Sequence, residues 1–241
     1  AARGYHLAQG NNERPVTRLA VLPVAAKASV EQGLEAALES ALAHWLYHDE
    51  IWLRGNAKAK AEILLAIARV RHALVLFGGI VPRKATTHLR ALLNDADAVL
   101  LAADTADEAL FRTEVVGAKL ALTEWLVQRG WRPFLNEAGE KKIAGSFKRF
   151  ADIHLSRVAA ELRSAVQHLA VEDAADQLPK LSRDIDSVQL LAGAYGDAVA
   201  PWLENWQELQ RAIEHDDRSV FEYFRRQALA AEPFWLHSGK R

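Results

Sequence analysis

The sequence predicts an all-α protein: two pseudo-symmetric antiparallel four-helix bundles around a basic central groove. Three observations lead there. From Lys27 onward the chain is rich in Ala, Leu, Glu, Lys and Arg, with apolar residues at helical spacing. Gly pairs, Pro and polar residues interrupt that pattern in "FGGIVPRK", "RGWRPFLNEAGEK" and "EDAADQLP". A weak internal duplication is also visible, since residues 57–77 and 141–170 both read as basic amphipathic helices. Short connections between long amphipathic helices imply antiparallel neighbours. Two related halves facing each other would bring the basic helices to one groove.

Each element follows in order. Residues 1–26 stand apart, with a loop-like "GNNERPVTR" and a "RLAVLPV" that reads as a short strand or an extended linker. Eight helices are predicted after it, over 28–53, 57–77, 83–103, 106–128, 141–170, 178–194, 199–214 and 219–230. In the second, Ile63, Ile67, Val70, Leu74 and Phe77 make the buried stripe. Glu62, Arg69 and His72 lie to one side of that stripe, Lys60 and Arg71 to the other. The third helix carries Lys84, His88 and Asp95. In the fifth, His154, Arg157 and Glu161 are three and four residues apart, so one stripe holds all three beside the apolar face of Phe147, Val158 and Ala165. In the sixth, Pro179 suits a first turn, and Arg183, Asp184 and Asp186 follow. Asp186 is one turn from Arg183 and can pair with it, or with a basic residue of the neighbouring helix.

Composition narrows the function. With 241 residues, half of them hydrophobic, the chain can bury one large or two small cores. The absence of Cys excludes disulfides, thiolate metal sites and cysteine nucleophiles, and is compatible with a cytoplasmic protein. No apolar run is long enough to cross a bilayer, and no signal core opens the chain. The chain starts at Ala1 and contains no Met, so a fragment or a processed chain is expected. A net charge of −1 argues against a surface that is basic throughout. The charges are nevertheless sorted. Between Arg54 and Arg90, Arg54, Lys58, Lys60, Arg69, Arg71, Arg83, Lys84 and Arg90 face Glu62 alone. A second basic sector runs from Lys141 to Arg163. Two such sectors on a neutral protein point to a local anion site, the alternative being an ordinary mixed surface.

Catalytic patterns are missing. There is no HExxH, P-loop or GxGxxG, no local signature of a Ser–His–Asp triad, and no clustered carboxylates to hold a catalytic metal. His44 and His48 stand at the i, i+4 spacing of a helical metal pair, but no third ligand is evident, so neither metal nor cofactor is expected. Arg69 and Arg71 are either groove residues or helix-edge arginines snorkelling to water, and His72 and His88 are either ligands or structural histidines. Nucleic acid is the weaker partner, because the aromatics sit mostly at helical core spacing and not among the basic patches.

"HLSR" at 154–157, followed by "RDID" at 183–186, resembles the second half of a CHAD domain, the conserved histidine α-helical domain. The likeness runs from about Val30 to about Glu232. "AARGYHLAQGN", "VRHALVLFGGIVPRK", "SFKRFADIHLSR" and "EPFWLHSGKR" are further similar to the C-terminal half of enterobacterial CYTH–CHAD inorganic triphosphatases. The resemblance implies two four-helix bundles around a basic groove that binds inorganic polyphosphate. It also implies a preceding CYTH catalytic domain as partner in cis, with residues 1–26 as its end and linker and 27–241 as the CHAD domain. The implied polyphosphate-binding residues are His154, Arg157, Arg69, Arg71, His72, Lys84, His88 and Arg183, supported by Asp184 and Asp186. The first half departs from the pattern. Ala61 replaces the family histidine, and "NDAD" at 94–97 replaces the RDxD signature. The ExExK motif of CYTH domains is absent from this chain, so hydrolysis is not expected of it. The other reading is a structural or interaction module that docks on the catalytic domain and no longer holds polyphosphate.

Overall fold

The computed structural model describes residues 14–25 and 27–236, and its regular structure is helical, with no strand among the described residues. The long helices are α1 (Val30–Leu53), α2 (Ala59–Leu76), α3 (Arg83–Ala102), and, after the short α4 (Ala106–Leu110), α5 (Thr113–Val127). The short α6 (Glu137–Ile143) precedes α7 (Phe147–Val166), α8 (Ala174–Leu191), α9 (Val199–Glu214) and α10 (Arg218–Ala230). The predicted all-α class stands.

Two of the predicted helices are each broken in two. Residues 106–128 divide where Arg112 takes an extended conformation ahead of α5. Residues 141–170 divide at Ser146, whose hydroxyl accepts from the Arg149 amide and starts α7 afresh. Helix α8 begins earlier than predicted, at Ala174, so Pro179 lies inside the helix and not in its first turn. The missing proline N–H costs that helix one internal hydrogen bond.

Helices α1, α2, α3 and α5 contact one another in a closed ring, and α7, α8, α9 and α10 contact in succession. The second series closes through Arg225 of α10, which donates to the carbonyls of Val166 and Gln167 at the end of α7. The two groups meet most extensively in two places. One joins the starts of α1 and α7. The Val30 amide donates to the Gly145 carbonyl at 2.9 Å, and the Phe147 amide to the Ala28 carbonyl at 2.9 Å. A Cβ on Gly33 would lie 2.2 Å from the Phe147 ring, so the approach of α1 to that ring requires glycine. The second contact is between α2 and α8, and it frames the candidate site.

Residues 14–25 carry no regular secondary structure and pack on this body as a strap, so "RLAVLPV" forms no strand. The Leu22 side chain is buried, and its amide donates to the Gln189 carbonyl at 2.9 Å. The strap lies so close to the turn after α8 that a Cβ on Gly193 would sit 1.6 Å from the Leu22 carbonyl oxygen. Residues 1–13, 26 and 237–241 lie outside the described residues, and with them the quoted "AARGYHLAQGN" and the end of "EPFWLHSGKR".

Candidate functional site

The α2–α8 contact is built on a buried guanidinium. Arg69 is 1% exposed, and it donates from Nε to Asp186 at 2.7 Å, from Nη1 to the Ala20 carbonyl at 2.9 Å, and from Nη2 to the Gln189 side-chain oxygen at 2.5 Å. One residue therefore ties α2, α8 and the strap together. Its planar fork meets three acceptors at once, which the single ammonium of a lysine does less well. Asp186 uses its second oxygen to accept from His72 Nδ1 at 2.8 Å. The carboxylate fixes the proton on Nδ1 and leaves Nε2 without a protein partner among the described residues.

In front of this network lies a cleft of about 710 Å³ between α2, α8, α9 and the strap. Four basic residues line it: Arg18 from the strap, His72 from α2, Arg183 from α8 and Arg211 from α9. Ser182, Gln207 and Gln210 add neutral polar groups. Three acids also face it, and each is engaged. Glu62 pairs with His44 at 2.9 Å, Asp186 with Arg69 and His72, and Glu214 accepts from Gln210 at 2.7 Å. Arg18 has no ion-pair partner among the described residues. Arg183 rests 3.3 Å from Asp184 and Arg211 2.9 Å from Glu208, both side chains partly in water, where such pairs are readily exchanged.

The predicted site residues are not brought together at one place. His72, Arg183 and Asp186 reach the cleft. Arg69 stands behind it, with every nitrogen of its guanidinium donating to groups of the protein. Arg71 lies elsewhere on α2, with Nη2 2.8 Å from Asp97 of α3. That pair is close but poorly aligned, because Nε and Nη2 are buried without a directed hydrogen bond. Lys84 lies over the Phe134 ring at 5.7 Å, and His88 is exposed on α3. Lys60, from the same basic sector, donates to the Leu101 and Ala103 carbonyls at the end of α3. Much of that sector is thus spent on internal contacts.

His154 and Arg157 occupy another face, on α7. The His154 ring packs 4.2 Å from Phe150, which stacks on Phe77 from the end of α2 at 4.9 Å. Its Nδ1 is buried with no partner. Burial, helped by the charge of Arg157, pushes the imidazole below its ordinary pKa and favours the neutral ring. Arg157 is exposed and 3.7 Å from Glu161. Asp184 is only 2% exposed, with Oδ2 unpartnered, and burial pushes its carboxyl above the usual range.

The family model of the CHAD domain matches residues 36–226. The chain belongs to the CHAD domain family. The crystal structure of the CHAD domain from the plant Ricinus communis superposes with a TM-score of 0.61 at 17% identity, covering 91% of this chain and 88% of that one. This likeness establishes a shared fold. Within the CHAD domain described above, "RDID" at 183–186 supplies both a cleft cation, Arg183, and the acid that holds Arg69, Asp186. Arg18 and Arg211 were missed from the sequence. Arg18 falls in a segment read as linker, and Arg211 in an otherwise ordinary helix, so neither carried a local signal.

Proposed function

We propose that this CHAD domain is a polyanion-binding accessory domain whose ligand is inorganic polyphosphate, with no hydrolytic centre of its own. The observation that carries the reading is the cleft. Of its acids, Glu62 and Asp186 are engaged by His44, Arg69 and His72, while Arg18 has no ion-pair partner among the described residues and is left to meet an anion. Arginine forks suit phosphate oxygens through charge-assisted hydrogen bonds. Arg157 on α7, exposed beside Glu161, is a separate basic residue that a long chain could contact outside the cleft. Resemblance to CYTH–CHAD triphosphatases supports a catalytic domain in cis, attached through the strap, and a cytoplasmic setting. The described helices include none long and apolar enough to cross a membrane. Titration of the chain with long-chain polyphosphate at low salt tests the reading, and absence of saturable binding removes it.

A second reading has its own observation. On α5, Val116, Leu120 and Val127 fall within about 40° of one another at roughly 100° per residue, and all are exposed, Val127 by 79%. Such a stripe supports a docking role toward the catalytic domain. It accounts for the protein alone if polyphosphate does not bind.

A further inference from the structure

We propose that His44, His48 and Glu62 form a binding site for a divalent cation of the zinc class. His44 and His48 stand one turn apart on α1, with ring centroids 4.1 Å apart. The sequence offered only this pair. The α1–α2 packing adds the third group: Glu62 of α2 places Oε2 2.9 Å from His44 Nε2. One ligand-type atom from each of the three residues lies within 4.8 Å of the other two. Two imidazoles and a carboxylate are the donor set of many zinc centres, with a fourth position left for water.

The surroundings of His48 are those of an oriented ligand. Its Nδ1 hydrogen-bonds the His44 carbonyl at 2.8 Å, and its Nε2 accepts from the Thr17 amide at 3.2 Å. An amide can only donate, so Nδ1 carries the proton and the lone pair is on Nε2. A backbone carbonyl holding the far nitrogen is the usual device that fixes a metal-binding imidazole. The lone pair is at present occupied by the strap. A cation that takes it must turn away the Thr17 amide, which lies in an exposed part of the strap and can hydrogen-bond water instead. His44 must also give up the Nε2 hydrogen bond to Glu62, its proton moving to Nδ1, so that imidazole and carboxylate both present lone pairs to the ion. The site stands whether or not the cleft binds anions.

The test is titration of chelator-treated protein with Zn²⁺ by calorimetry, with Co²⁺ absorption to report coordination. The expected result is one ion per chain, bound on the order of tenfold or more weakly by His44→Gln and by Glu62→Gln. Circular dichroism must show both variants folded. His44 is partly buried and Glu62 is 8% exposed, and either substitution preserves a polar group that can keep a hydrogen bond, so folding should survive. In the wild type, Zn²⁺ should accelerate hydrogen exchange of the Thr17 amide. The proposal is overturned if the wild type takes up no ion stoichiometrically, if the folded variants bind like wild type, or if zinc leaves Thr17 exchange unchanged.

Discussion

Arg69 and Asp186, 117 residues apart in sequence, meet in a 2.7 Å hydrogen bond that fastens α2 to α8. The same carboxylate holds His72 at the cleft, so one acid serves both the fold and the site. Removing one partner from a buried pair leaves the other charge uncompensated. Arg69→Met is expected to destabilise the protein by about 3–5 kcal/mol. Urea unfolding measures it, and a loss below about 1 kcal/mol would mean that the pair is replaceable.

The strap depends on Gly193. A Cβ there would overlap the Leu22 carbonyl oxygen at 1.6 Å, and that atom is backbone, which cannot rotate aside. Gly193→Ala should cost about 1–3 kcal/mol and speed proteolysis of residues 14–25. Unchanged stability together with unchanged cleavage would show that the strap does not need this approach.

His48 and His154 both have their pKa pushed below the ordinary 6.5, first by burial. The unfolded chain therefore takes up protons first as the solution is acidified. Their contribution to stability is complete above about pH 6.5 and is lost as pH falls through the lower, folded-state values. His154→Phe keeps the ring stack with Phe150 and removes one of the two groups. The urea midpoint of this variant should fall less steeply than that of wild type between neutral pH and pH 5. Parallel curves would show that folding does not lower the proton affinity of His154.

Polyphosphate binding, if it occurs through the cleft, has a residue pattern. Arg18→Glu and Arg183→Glu should each weaken binding by about 1.5–3 kcal/mol, the range for hydrogen bonds to charged groups. Both should flatten the dependence of affinity on salt, because fewer counterions are displaced. Lys141→Glu, at an exposed position on α6, should do much less. Arg157→Glu decides whether α7 takes part. Equal effects of all four reversals would indicate diffuse attraction without a site.

The chain should release no phosphate from inorganic triphosphate with Mg²⁺ or Mn²⁺. The absent ExExK cluster is the motivation, since phosphoryl chemistry of that kind needs carboxylates to place the metal. Metal-dependent turnover by the purified chain, measured as released phosphate, would contradict the accessory role.

The sequence by itself determined the all-α class, most helix positions and the family resemblance, because these rest on local signals. Apolar residues at helical spacing mark a buried face wherever that face ends up, and "HLSR" and "RDID" are contiguous strings. It also supplied both partners allowed to Asp186 without choosing between them. Only the tertiary structure made the choice, bringing Arg69 and His72 of α2 to that carboxylate and leaving Arg183 to Asp184. It likewise put Arg18 of a supposed linker into the cleft, Glu62 beside His44, and His154 in an aromatic stack. The reason is physical. Periodicity says which side of a helix is buried, but an ion pair or a ligand set is a relation between elements distant in sequence. The angle and depth at which helices pack decide it, and no local pattern encodes them.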